Sequence, residues 1–410
     1  MTSATEDATM AAGLPERAKS LIPLLDEHAA AADEKGVLTD EVVTALHREQ
    51  IFSMWVPKTL GGWELDPVSS LETIAHLAYG DPSVGWVVMA ASLAIGTGGA
   101  YLDDDAVTEL WADGKMPVIA GQGTRPGSAV SQDGGFLLSG SWSFASGIRH
   151  SSHIHTLGVI EGTGEPRIFV VPVEQATLID NWDVMGLRAT GSIDYEIDSV
   201  FVPEHFSHFA VTETPERGGN LYHLGIINIA AICHSGWALG MGRRMLDDLR
   251  KLVQAKAGRP GAQADNDSFV EDFGAAEGTY RAARALIFET WNDVSATLER
   301  GDSLSVDQNT AVRLGTIQVT RAAHEVSRFV YASSGTTGLR EGVIQRYFRD
   351  MHAGTQHVIP SRPILQTVGR KLAGLADGKH WQFLELSTRP ESPARDGAVV
   401  PSRVMFLAHR

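Results

Sequence analysis

Apolar residues recur three and four positions apart in ERAKSLIPLLDEHAAAADEKG and TDEVVTALHREQIF, which predicts amphipathic helices, with Thr39 as the N-cap before Asp40 and Glu41. This helical period persists to about Gly114. From about Met116 to Phe209 the pattern changes to short β-type runs, PVIAG, GFLLSGSWSF, HIHTLGVIE, PRIFVVPV and IDSVFVP, separated by Gly, Pro and Asp turn signals. Long helical runs return from about Leu221, including DSFVEDFGAAEGTYRAARALIFETWNDVSATLERG and QNTAVRLGTIQVTRAAHEVSRFVYASSG, and suit a bundle. The expected class is α+β, with an N-terminal helical domain (1–115), a middle β-barrel-like domain (116–210), a C-terminal four-helix bundle (211–388) and a tail (389–410). The polar stretch from Ala255 to Ser268 reads as a connector, and the tail as disordered or as a crossing arm. No internal repeat is visible.

A chain of 410 residues with formal net charge −16 can bury a large core and lacks the basic face that a nucleic-acid partner needs. Cys233 is the only cysteine, so no intrachain disulfide can form, and a cytoplasmic setting is expected. Its apolar surroundings argue against a reactive thiol. MTSATEDATM shows no secretory pattern. The uncharged stretches Val84 to Leu102 and Gly219 to Gly242 approach membrane-spanning length, but their Gly, Ala and Ser content and lack of basic flanks predict buried helices and no membrane partner. His150, His153 and His155 alternate along a strand-like run without a third ligand in the sequence, so no metal site is expected.

Five segments carry a family resemblance. VMGLRATGSIDYEIDSVFVPEHF, GSWSFASGIRHSS, ASSGTTGLREGVIQRYFRD and WVPKTLGGWEL resemble segments of acyl-CoA dehydrogenases in the same order, and QRYFRDMHAGTQHV follows the family's Arg-Asp pair. A dehydrogenase needs a carboxylate to remove the α-proton of a thioester. Met351 to Ala376 contains no carboxylate, nor does Leu221 to Arg243, the two regions where the family places that base. Within the superfamily the chain therefore most resembles the flavin-dependent monooxygenases that serve as oxygenase components of two-component systems.

That resemblance implies reduced flavin (FMNH2 or FADH2) supplied by a separate NAD(P)H-dependent reductase, O2 as co-substrate, a C4a-hydroperoxyflavin, an aromatic or heteroaromatic small molecule as substrate, and a homotetramer. It places Phe144 against the isoalloxazine ring, and the hydroxyl or local amide of Ser146 at flavin N5. Arg188, Thr190 and Ser192 would lie at the pyrimidine edge or phosphate. His357 is the first choice of catalytic histidine and His352 the second, while Arg349 and Asp350 read as an ion pair bracing the bundle. A Ser in a turn, an aromatic on a strand and a His in a bundle each have an ordinary structural reading too. Two other functions stay open: oxidation of an acyl thioester through a displaced base, and a flavoprotein that keeps the fold without the chemistry. Pro117 to Gly127 and Met89 to Gly98 lack the extra His of phenol hydroxylases, and the segment after Lys256 lacks an adenine-contacting Arg-x-x-Phe-Gly. No Gly-x-Gly-x-x-Gly dinucleotide motif is present.

Overall fold

The computed structural model describes residues 13–388 other than residue 213. The segment read for a secretory signal and the tail from 389 onward lie outside the described residues.

Five helices come first: α1 (Leu14–Lys35), α2 (Asp40–Arg48), α3 (Pro67–Gly80), α4 (Pro82–Tyr101) and α5 (Asp104–Leu110). Their starts follow capping chemistry. Thr39 accepts from the Val42 amide, as its position predicts, and Asp66 and Asp81 each accept two amides at the first turns of α3 and α4, where Pro67 and Pro82 carry no amide proton and so need no acceptor. Gly36 closes α1 in the left-handed region at φ 73°.

Seven strands follow: β1 (Ile119–Gln132), β2 (Gly135–Trp142), β3 (His153–Ile160), β4 (Pro166–Pro172), β5 (Thr177–Ile179), β6 (Asp194–Pro203) and β7 (Ser207–Phe209). They form one sheet in the order β5-β6-β2-β1-β3-β4-β7, so the barrel-like expectation resolves into an open sheet with β5 and β7 at its edges. Among the described residues only β1 and β3 pair in parallel, and β1 is interrupted by an irregularity between Gln122 and Gly127, where Gly and Pro interrupt the ladder. The sheet has its own core around Trp142 and Tyr195, whose rings stack at 5.3 Å across the β2–β6 pair.

The bundle comprises α6 (Gly225–Lys256), α7 (Asp267–Glu299), α8 (Val306–Ser333), the short α9 (Thr336–Leu339), α10 (Val343–Gly354) and α11 (Arg362–Leu372), and a hairpin of β8 (His380–Gln382) and β9 (Glu385–Ser387) follows. A capping box between Ser305 and Gln308 starts α8. One continuous apolar core runs from Leu14 through Trp55, Ile95 and Trp237 to Met351, so the helices before and after the sheet are packed as one body. The two apolar stretches noted in the sequence are α4 and the first part of α6. Both are long and apolar enough to cross a membrane by length and composition, and both are mostly buried here, packed against α3 and each other.

Candidate active site

The glycine-rich turn after β2 reaches the helical body at α4. A Cβ on Gly147, whose φ is +79°, would lie 2.8 Å from Val87 Cγ1, so only glycine permits this approach. Ser146, beside it, is 5% exposed. Its Oγ lies 2.7 Å from Ser192 Oγ, which lies 2.6 Å from Thr190 Oγ1. Three residues expected at a flavin are thereby brought into one buried hydroxyl cluster. Phe144 does the opposite. It has φ 71° and is 67% exposed, its ring edge-on to Trp182 at 6.2 Å. A buried turn that holds one aromatic face outward beside buried hydroxyls fits a flat, polar-edged heterocycle such as flavin. The amide of Ser146 is already donated to Phe144 O at 2.9 Å, so of the two groups expected at N5 only the hydroxyl is available.

Arg188 donates from Nε to Asp33 O at 3.1 Å, joining the Leu187–Thr190 turn to α1. Arg349 and Asp350 do not pair with each other, which corrects the expectation of an Arg–Asp brace. Arg349 bridges Asp33 at 2.8 Å and Met185 O at 2.6 Å, and Asp350 Oδ1 accepts from the Leu187 amide at 2.6 Å. Neighbours on a helix point about 100° apart, so each reaches a different partner. A Cβ on Gly186 would lie 2.3 Å from Arg349 O, so the turn is seated directly on the α10 backbone. Asp350 is 1% exposed, its Oδ2 has no partner, and burial raises its pKa to about 7, opposed by the Leu187 amide and aided by Asp81 and Asp33.

His352 and His357 are held apart by the end of α10. His352 sits on the last turn, with its Nδ1 2.7 Å from Phe348 O and its Nε2 3.0 Å from His324 Nε2. These two histidines line a cleft of about 800 Å3 with Arg321, Arg328, Tyr331 and Phe348. His357 lies past the helix and does not line that cleft. Its ring meets His234 of α6 at 4.1 Å between centroids and Trp86 of α4 at 5.7 Å, and Trp86 is itself edge-on to His234 and Trp237. Gly354 lets α10 end against this wall, since a Cβ there would lie 2.2 Å from Trp237 Cη2. Trp86 adjoins Val87, so α4 touches both the Ser146 turn and the histidine pair.

Burial lowers the His357 pKa to about 4, and that of His234 falls well below the usual histidine range through burial and the neighbouring His357. Both rings are neutral near pH 7. The Ile359 amide donates to His357 Nδ1 at 3.3 Å, which leaves the ring proton on Nε2. The sequence reading did not single out His234 or Trp86. The signal for His234 was a histidine inside Leu221 to Arg243, one of the two regions where acyl-CoA dehydrogenases place their carboxylate base. His155 is buried beside His208 in the sheet, its pKa lowered to about 3, while His153 bonds Ser152, so the two do not act together.

The chain is 30% identical over 356 residues to the flavin-dependent monooxygenase oxygenase subunit HsaA of Mycobacterium tuberculosis, covering 82% of this chain and 89% of that one. It belongs to the flavin-dependent monooxygenase oxygenase family. An indole-3-acetate monooxygenase of Pseudomonas putida is 29% identical over 353 residues, covering 83% of this chain and 89% of that one. Residues 232–362 match the acyl-CoA dehydrogenase C-terminal domain, the region that contains both His234 and His357. The crystal structure of the 3-HSA hydroxylase from Rhodococcus sp. RHA1 superimposes with a TM-score of 0.83 at 25% identity, over 90% of this chain and 98% of the other. A flavin-dependent monooxygenase subunit of this fold requires no thioester base, consistent with the neutral imidazoles found here.

Proposed function

We propose that this oxygenase component takes reduced FMN or FADH2 from a separate NAD(P)H-dependent reductase and oxygenates an aromatic or heteroaromatic small molecule. The observation that carries the reading is the neutral His234–His357 pair walled by Trp86 and Trp237, in a region where an acyl-CoA dehydrogenase needs an ionised carboxylate. When bound, reduced flavin supplies two electrons to O2, so that one oxygen atom enters the substrate and the other leaves as water. Phe144 packs against the flavin ring and Ser146 meets N5. Arg188, Thr190 and Ser192 support the polar edge, Arg188 through its tie to α1. His357 offers its Nε2 proton as a hydrogen-bond donor to the reacting oxygen, and the indole walls exclude water and favour a flat substrate. His352, in its own cleft with His324, serves that cleft and not the oxygen transfer. The names of the relatives support this reading over thioester oxidation. A homotetramer is in keeping with the exposed Leu339, Leu372 and Leu375 on the bundle, and a cytoplasmic location with the lone buried Cys233.

The test is to load the protein anaerobically with reduced FMN or FADH2 and mix it with O2 and a panel of indoles and phenols. The expected result is an oxygenated aromatic product, with peroxide release slower than from free reduced flavin. Release at the free-flavin rate with no product, or bleaching of the oxidised flavoprotein by an acyl-CoA, refutes the proposal.

A further inference from the structure

The hydroxyl cluster beside Phe144 has a direction fixed at one end. Thr190 Oγ1 lies 2.7 Å from Leu187 O, where the Thr190 amide and Trp182 Nε1 also converge at 3.2 Å each. A carbonyl oxygen can only accept, so Thr190 donates to it. A hydroxyl has one proton, so Thr190 accepts from Ser192 at 2.6 Å, and Ser192 in turn accepts from Ser146 at 2.7 Å. The Ser146 proton is therefore turned into the protein, and what Ser146 has left to offer is lone pairs. The neighbouring amides do not compensate. Ala145 N donates to Ile193 O at 3.1 Å, Ser146 N to Phe144 O at 2.9 Å and Gly147 N to Thr190 O at 2.9 Å. The amides of Ala145, Ser146 and Gly147 are thus all engaged, and what Ser146 presents is an acceptor.

Reduced flavin carries an N–H at N5, whereas oxidised flavin carries a lone pair there. We infer that Thr190 and Ser192 are positioning residues that make this site selective for reduced over oxidised flavin by holding the Ser146 hydroxyl as an acceptor toward N5. The inference rests on the placement of Ser146 at N5 in the proposed function. It gives the site a chemical reason to accept reduced flavin and to release the oxidised form for re-reduction elsewhere. To donate to oxidised N5, Ser146 would have to reverse the chain, and Thr190 would give up its bond to Leu187 O. One buried hydrogen bond of this kind corresponds to a selectivity of about tenfold.

The experiment is an anaerobic titration of the protein with oxidised and with photoreduced FMN and FAD, followed by flavin fluorescence and absorbance. Wild type is expected to bind the reduced form about tenfold more tightly than the oxidised form. In Thr190→Val and in Ser192→Ala the chain loses its fixed end or its link, so the affinity for oxidised flavin should rise while that for reduced flavin falls. Thr190→Ser should restore the wild-type ratio. A merely structural role would weaken both forms together. Equal weakening of the two forms, or an unchanged ratio in both variants, overturns the inference, and Ser192→Ala alone decides between these outcomes should Thr190→Val not fold. Ser146→Ala separates the two proposals. If it leaves the ratio unchanged, Ser146 does not face N5 and the proposed site itself fails. If it moves the ratio while Thr190→Val and Ser192→Ala do not, only the relay fails.

Discussion

Replacing Asp350 with Asn removes an ionisable carboxyl from one of the most buried polar positions in the protein while keeping an acceptor for the Leu187 amide, 2.6 Å away. The Asn amide nitrogen would take the place of Oδ2, which has no partner. Burial, with Asp81 and Asp33 adding to it against the Leu187 amide and Arg349, raises the carboxyl from its ordinary range to about 7. Between the unfolded and folded values the folded protein binds more protons than the unfolded chain, so this group favours folding most in acid and that contribution is lost as pH rises toward 7. From about pH 5 to about pH 8 the loss is about 3 kcal/mol. Asp350→Asn does not titrate and escapes it. Denaturant unfolding of both proteins across this range should show their stability difference moving by about that amount, with the variant gaining on wild type toward alkaline pH. Parallel stability profiles would refute the reasoning, because they would mean that the folded protein holds Asp350 ionised throughout this range.

His357→Gln should lower product formation by about 10²-fold with reduced-flavin affinity unchanged, measured by product analysis beside anaerobic titration, whereas His352→Ala should leave product formation nearly intact. Because the His357 pKa lies at about 4, the ring stays neutral above it, and the oxygen-transfer rate in wild type should show no acid limb from this residue between about pH 6 and pH 8, read from single-turnover kinetics. Gly354→Ala drives a methyl to 2.2 Å from Trp237 and should cost about 1–3 kcal/mol by denaturant unfolding. Gly147→Ala combines a left-handed φ with a 2.8 Å contact on Val87, so Val87→Ala should recover part of its lost stability but not all.

The helical parts were legible because their period, their caps and their apolar length all agree, as at Thr39 and in α4. The sheet was legible as strands but not as an order. β1 runs through Arg125, Pro126 and Gly127, residues that read as a turn, and the irregularity after Gln122 accommodates them. Ser146, Thr190 and Ser192 were singled out by their local motifs, yet nothing in a one-dimensional pattern joins Ser146 to Ser192 across 46 positions. His234 was hidden by its surroundings, since a histidine in the run IINIAAICHSGW looks like a helix interior, and it is one. Arg349 and Asp350 were seen as a pair because they are adjacent, while helical geometry sends them to separate partners.

The seat of the Met185–Thr190 turn has a consequence for how the protein is made. Strands β1 to β5 and the turn itself leave the ribosome well before α10, yet two of the groups that hold the turn, the Asp350 carboxyl and the Arg349 guanidinium, belong to α10. Until α10 has emerged, the stretch that carries Thr190 lacks these two ties, although Arg188 can already join it to α1. A chain that has not yet delivered α10 is therefore expected to leave the turn of the proposed flavin site less firmly seated, so assembly of that site waits on a helix made long after its strands.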